Sequence, residues 1–149
     1  MKRIATVVII AMALTAGAPA TFAATPPGHA ALRSAEWNSI QLVIDDQLKA
    51  LKAGDGAKAM SYAAPALRRQ FGTPERFMRM VREGFRPLLV ARSSAFLDGA
   101  VVDGITIQPL QLVLPDSSVV VALYRMEKQR DGVWRVAGCV IAPSKAQST

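Results

Sequence analysis

The sequence predicts an α+β fold, in which helices pack on one face of an antiparallel sheet. Two observations carry this prediction. Between residues 34 and 86, apolar side chains recur with the helical period of about 3.6 residues. After Pro87, β-branched and aromatic residues dominate, and turn residues such as Asp-Gly and Pro-Asp-Ser interrupt them. Since a run of helices followed by a run of strands is typical of this class, we predict three N-terminal helices on a four-stranded antiparallel sheet.

The first residues have the organisation of a secretory signal peptide. Lys2 and Arg3 give a positive start, residues 4–16 are uncharged and largely apolar, and Thr21-Phe22-Ala23 places small residues at the −3 and −1 positions of a cleavage site. A membrane anchor is the alternative, but a spanning helix needs about 20 apolar residues and this run is shorter. We therefore predict cleavage after Ala23, with Ala20 as the second choice, and a periplasmic or secreted protein.

The mature chain has the size of one domain. Removing residues 1–23 from 149 leaves 126, with 16 basic and 11 acidic residues and a net charge of +5. We predict a flexible leader over residues 24–33, a single domain over residues 34–143 and a short tail over residues 144–149. Export argues against a nucleic-acid partner, so the basic balance indicates solubility or contact with anionic groups.

Capping residues divide the helical region. The first helix runs from Ser34 to about Ala53, and Gly54 ends it. Asp55 caps the second helix, which Pro65 breaks, and Thr73-Pro74 starts the third, which ends near Arg86. The predicted apolar face of the first helix comprises Trp37, Ile40, Val43, Ile44, Leu48 and Leu51.

A row of arginines lies along the third helix, at positions 76, 79, 82 and 86. Glu75 and Glu83 each lie four residues from Arg79, a spacing that favours ion pairs. We interpret the row as a solvated, partly neutralised helix face, because no aromatic residues are interleaved for base stacking. A mild basic zone formed by Arg68, Arg69, Arg82, Arg86 and Arg92 stays open as an alternative.

The last two strands allow a register to be predicted. A two-residue turn at Asp131-Gly132 would oppose Lys128 to Arg135, whereas a three-residue loop with a left-handed Gly132 pairs Glu127 with Arg135. The second register places these side chains toward the helices: Ala122, Tyr124, Met126, Trp134, Val136 and Val140. It places these on the opposite face: Leu123, Arg125, Glu127, Arg135, Ala137 and Cys139.

The segments "GDGAKAMSYAAPALRRQFG", "TPERFMRMV", "IQPLQLVL" and "ALYRMEKQRDGVWRVAGCVI" resemble an uncharacterised bacterial family, domain of unknown function 4864. That family is similar to the nuclear transport factor 2-like superfamily, with its cystatin-like α+β cone. The resemblance covers about Glu36 to Pro143. It implies a curved sheet wrapped around helices, an apolar cavity, and pairing of two cones through the outer sheet face.

These observations favour an exported protein that binds a small apolar ligand, or an interaction domain, without catalysis. The predicted lining residues are Tyr62, Phe77, Phe96, Tyr124, Met126 and Trp134; the alternative is that these side chains simply fill the core. We also predict a homodimer, whose face would include Leu123, Arg125 and Cys139. A third hypothesis, binding of the arginine zone to an anionic membrane surface, is less favoured.

An enzyme of the ketosteroid-isomerase or polyketide-cyclase type is the alternative function. Such an enzyme needs a base and a hydrogen-bond donor for the oxyanion. Tyr124 or Tyr62 could donate, and Asp98 is the carboxylate considered as a base. His29, the only histidine, lies in the leader, so nothing activates the single cysteine, Cys139. We recognise no catalytic set, and expect no metal site and no cofactor.

Overall fold

The computed structural model describes residues 32–144, which form five helices followed by five strands. The helices are α1 Ser34–Lys52, α2 Gly56–Ser61, α3 Pro65–Phe71, α4 Pro74–Gly84 and α5 Arg86–Val90. The strands are β1 Ser93–Phe96, β2 Ala100–Val102, β3 Ile105–Val113, β4 Val119–Lys128 and β5 Trp134–Pro143. The predicted α+β class is confirmed, but the predicted three helices and four strands are corrected to five of each. The predicted signal peptide, His29 and most of the leader and tail lie outside the described residues.

The predicted helix boundaries are confirmed where a cap defines them. Gly54 adopts a left-handed φ of +72° just after α1. The Asp55 side chain accepts a hydrogen bond from the Lys58 N–H at 3.0 Å, and Thr73 Oγ1 accepts one from the Arg76 N–H at 3.3 Å. Both contacts satisfy N–H groups that the first turn of a helix leaves without a partner.

The additional helices arise at prolines. Pro65, which we expected only to break the second helix, is the first residue of α3. Proline suits this position because its missing N–H would have no partner there. Pro87 likewise lies in the first turn of α5. The predicted second helix is therefore split by residues 62–64, which form a short parallel bridge to Val136 of β5.

The sheet is antiparallel, with β3, β4 and β5 paired in that order. Both β1 and β2 pair with the remaining edge of β3, at its C-terminal and N-terminal halves respectively. The segment of residues 92–104 thus forms two strands, separated at Leu97-Asp98-Gly99, which accounts for the fifth strand. A Cβ atom at Gly99 would collide with the indole ring of Trp37 on α1.

The helices cover one face of the sheet and enclose the core. Ile40, Ile44, Leu48 and Leu51 of α1 are buried, which confirms the main part of the predicted apolar face. The sheet contributes Leu110, Leu112, Ala122, Tyr124, Met126, Trp134 and Val136. Within residues 32–144, no helix has both the length and the apolar character that crossing a bilayer requires.

The predicted hairpin register is confirmed close to the turn and lost beyond it. Met126 lies opposite Val136, Glu127 lies opposite Arg135, and Gly132 has a φ of +83°. One pair further on, Arg125 lies opposite Gly138, so Ala137 is an extra residue in a β-bulge. Because side chains alternate along a strand, the bulge reverses every face assignment after it. This corrects the predicted positions of two side chains: Cys139 faces the helices, opposite Tyr124, and Val140 faces away, opposite Leu123.

Candidate functional site

An apolar pocket of about 280 Å³ lies between four of the helices and β5. Its walls come from α1, α3, α4, the α4–α5 junction, α5 and the bulged part of β5. The apolar residues that define it are Leu51, Leu67, Phe71, Phe77, Met80 and Phe85. The exposed side chain of Gln70 also lines it, so the pocket reaches the surface beside α3.

Helical spacing places the aromatic side chains of the wall on the helix faces that line the pocket. Leu67 and Phe71 are four residues apart on α3 and therefore share a face. Phe77 and Val81 have the same relation on α4. Across the turn at Thr73, the rings of Phe71 and Phe77 meet edge to face, with centroids 5.7 Å apart and planes at 70°. Such a pair holds this part of the wall in place, because edge-to-face contact stabilises the two rings beyond the contribution of their burial.

Three groups in the wall can form hydrogen bonds. Gln47 is buried, and its Nε2 donates to the carbonyl oxygen of Ala59 at 3.2 Å. Gln70 is exposed at the edge of the pocket, and the Cys139 thiol lies in the wall supplied by β5. The site therefore combines a mainly apolar surface with a few uncharged polar groups, as ligand pockets do.

The Cys139 thiol is not a nucleophile at neutral pH. Burial raises the pKa of Cys139 to about 12, although a backbone hydrogen bond near Val140 acts in the opposite direction. The reactive form of cysteine is the thiolate, and at neutral pH this thiol keeps its proton. Cys139 can thus contribute packing and a weak hydrogen bond to the pocket.

Tyr124 lies behind this wall, in the core. It is opposite Gln108 on β3 and Cys139 on β5. Its hydroxyl is the one buried side-chain polar atom without a hydrogen-bond partner among the described residues. Burial raises the pKa of Tyr124 well above its usual value, and the nearby Cys139 and Asp45 act in the same direction. At neutral pH the group is therefore an uncharged phenol.

The predicted lining residues do not gather at this pocket. Phe77 lines it. Tyr124, Met126 and Trp134 are buried in the core. Tyr62 is half-buried after α2, where its carbonyl accepts a hydrogen bond from the Val136 N–H at 2.9 Å. Phe96 is half-buried on β1.

The residues considered for catalysis are also separated. Asp98 is exposed and lines a different, polar cleft of about 340 Å³, together with Trp37, Gln41 and Gln108. In that cleft Gln41 Nε2 donates to Gln108 Oε1 at 3.3 Å, and neither tyrosine contributes to its lining. In the part of the chain that the structure describes, no three His, Cys, Asp or Glu residues are grouped to hold a metal ion.

The arginine row is exposed, as predicted, but its side chains form no ion pairs with other described residues, which corrects part of our interpretation. The ion pairs within residues 32–144 are Lys49–Asp46 at 3.5 Å and Lys128–Glu36 at 2.8 Å. The predicted pairs of Arg79 with Glu75 and Glu83 are not formed. The alternative basic zone is also dispersed. Arg68 and Arg69 line one depression, Arg82 lines another, and Arg92 donates to Ser117 Oγ at 3.0 Å.

The lining residues missed from the sequence have a recognisable feature in common. Leu67, Phe71, Met80, Phe85 and Leu88 are apolar residues on or next to the short helices α3, α4 and α5. Met80 and Phe85 follow Phe77 by three and eight residues, a helical spacing, so apolar periodicity was the available indication. Nothing in the sequence separated residues that line a gap from residues that fill the core.

A family model described as a domain of unknown function, DUF4864, matches residues 33–149. This agrees with the resemblance stated from the sequence. A search of curated proteins found no match to the chain.

Proposed function

Because the chain belongs to the DUF4864 family, whose description assigns no activity, we propose from the pocket itself that the protein binds a small apolar ligand. The observation that carries this proposal is the apolar pocket of about 280 Å³ between the helices and β5. Ligand pockets cover roughly 300–1,000 Å³; this pocket lies at the lower end of that range, so its volume suits a small molecule or part of a larger one.

The chemistry of the wall supports binding without catalysis. Cys139 is the only titratable group among the pocket's described lining residues, and it keeps its proton at neutral pH. Gln47 and Gln70 offer uncharged amides. General acid–base catalysis requires a group whose pKa lies near the operating pH, and this wall supplies no such group.

We further propose that the protein acts outside the cytoplasm, as a homodimer with a cone-type fold. The proposal of export is supported by the pattern of residues 1–23. The cone and the dimer rest on the family resemblance, together with the placement of the helices on a single sheet face.

To test whether the pocket binds an apolar ligand, the protein is titrated with octan-1-ol and binding is monitored by amide chemical shifts in NMR spectra. We expect saturable shifts centred on Leu67, Phe77 and Cys139. The substitution Leu67→Trp should weaken binding at least about tenfold, because the larger indole ring would occupy the volume in which the ligand is buried. Leu42→Trp is the matched control, because Leu42 is 64% exposed on α1 and does not line the pocket.

Two results would contradict the proposal. One is a linear, non-saturating response to octan-1-ol. The other is equal affinity of the two tryptophan variants for octan-1-ol, which would show that the probe does not bind in the pocket beside α3.

A further inference from the structure

The net positive charge of the described chain is confined to one segment. Residues 65–90, which contain α3, α4 and α5, carry six arginines and two glutamates, a net charge of +4. Residues 32–64 carry four basic and four acidic residues, and residues 91–144 carry five of each. These three helices therefore carry the whole charge imbalance of the domain.

This charge is available to a ligand. The six arginines of the segment are exposed, and neither ion pair found within residues 32–144 involves any of them. An arginine without a carboxylate partner keeps its planar set of N–H donors free, and that set matches carboxylate and phosphate oxygens.

The charged segment is also the segment that builds most of the pocket. On α4, Met80 lines the pocket and is half-buried. Arg76 precedes Met80 by four residues and Glu83 follows it by three, so both lie on the helix surface next to it. Arg82 lies at the other edge of α4, where it lines a separate depression with Glu75.

From this juxtaposition we infer that the natural ligand is an anionic amphiphile. Its alkyl chain occupies the apolar pocket, and its carboxylate or phosphate head remains at the surface, in the positive field of α3, α4 and α5. Exposed charges act over roughly a Debye length, about 8 Å at physiological salt, so the head need not touch a particular arginine. The inference rests on the proposed function and adds the charge class of the ligand.

The test compares ligands with the same chain and different heads. Octanoate, octyl phosphate, octan-1-ol and octylammonium are titrated into the full mature chain, the ionic ligands below their micelle-forming concentrations and octan-1-ol below its solubility limit. We expect both anions to bind about fivefold more tightly than octan-1-ol, and the cation to bind more weakly, as two charges about 4 Å apart in water predict. The advantage of the anions should disappear at about 1 M salt, where the Debye length is about 3 Å. The ratio of the two anions indicates whether a carboxylate or a phosphate is preferred.

Substitutions at three exposed positions of α4 test whether charge next to the pocket affects anion binding. Arg76→Gln should lower the ratio of octanoate to octan-1-ol affinity about twofold, and Glu83→Gln should raise it by a similar factor. Arg82→Gln, the same change at the opposite edge of α4, should leave the ratio closer to that of the unmodified protein. The affinity for octan-1-ol shows in each variant that the pocket is intact.

The outcomes separate the two proposals. If octan-1-ol saturates the pocket and octanoate binds no better, the inference about charge is overturned while apolar binding stands. If no ligand saturates the pocket, both fail. Sedimentation with anionic vesicles, without retention of any octyl ligand, would assign the charge to a membrane surface and would also overturn the inference.

Discussion

The Tyr124 hydroxyl poses a problem at the scale of a single residue. It is buried on the face of β4 that the helices cover, and it has no hydrogen-bond partner within the described chain. Leaving a buried polar group without a partner costs about 1–3 kcal/mol of stability. Removing the oxygen should relieve that cost, because the ring, which supplies the packing, would remain.

We therefore expect Tyr124→Phe to leave the free energy of unfolding unchanged or to raise it by about 1 kcal/mol. Urea denaturation of the two proteins measures the difference. Tyr62→Phe is the control, because Tyr62 is half-buried and its hydroxyl can meet water. A loss of more than about 1 kcal/mol in Tyr124→Phe would contradict the prediction. It would show that the hydroxyl has a partner in solution, such as a buried water molecule.

Cys139 shows why residue positions near the pocket were only partly predictable. Cross-strand pairing predicted the register from Glu127 to Trp134 correctly, because charge and apolar preferences at opposed positions are local. The bulge at Ala137 depends on how β5 meets the segment after α2, which pairs with Val136. That contact joins parts of the chain more than 70 residues apart, and no local pattern indicates it.

At the scale of elements, one glycine explains the interruption between β1 and β2. Gly99 lies against the Trp37 ring of α1, where a Cβ atom would meet three ring atoms. This close approach allows α1 to pack beside the β1–β2 connection. A side chain there would force the indole ring and the helix away from the sheet.

We expect Gly99→Ala to lower the stability by about 1–3 kcal/mol, the usual cost of overpacking. Gly84→Ala is the matched control, since an added Cβ atom at Gly84 meets nothing within 4 Å. Gly84 is the last residue of α4, and alanine there should stabilise the helix by up to about 1 kcal/mol. Thermal or urea unfolding of both variants measures the contrast. Equal stability of the two variants would contradict the role assigned to Gly99.

The elements themselves were predictable where their ends are determined locally. Gly54, Asp55 and Thr73 act within one helical turn, so their effects can be read from the sequence. Pro65 was ambiguous, because proline both ends a preceding helix and begins a following one. The choice was made by the bridge of residues 62–64 to β5, a tertiary contact.

At the scale of the whole molecule, the pocket could not be predicted from the sequence. Its walls come from residues 47 and 51, from the segment between residues 67 and 88, and from residues 136, 138 and 139. Apolar periodicity indicates which face of each helix is buried. It does not indicate whether the faces of three short helices close completely against β5, and the pocket is the gap that they leave.

The sheet face away from the helices is the surface on which the dimer proposal depends. Strand pairing places Pro109, Leu123 and Val140 side by side across β3, β4 and β5. Leu123 belonged to the predicted dimer face, together with Arg125, which is exposed beside it. Val140 replaces Cys139 on this face because of the bulge. A contiguous apolar patch of this kind is typical of interaction surfaces.

Val140→Glu should convert the proposed dimer into a monomer, because a two-fold interface brings the same patch of both chains together and would oppose two buried carboxylates. Native mass spectrometry of protein recovered from the cell envelope measures this. We expect two chains that lack residues 1–23 for the unmodified protein and one such chain for the variant.

Leu42→Glu is the control, because Leu42 and Val140 are 64% and 62% exposed but only Val140 lies on this sheet face. A monomer in the unmodified protein, or equal dissociation in both variants, would remove the outer face from the proposal. The proposal of ligand binding would be unaffected, because the apolar pocket lies on the opposite side of the sheet, between the helices and β5.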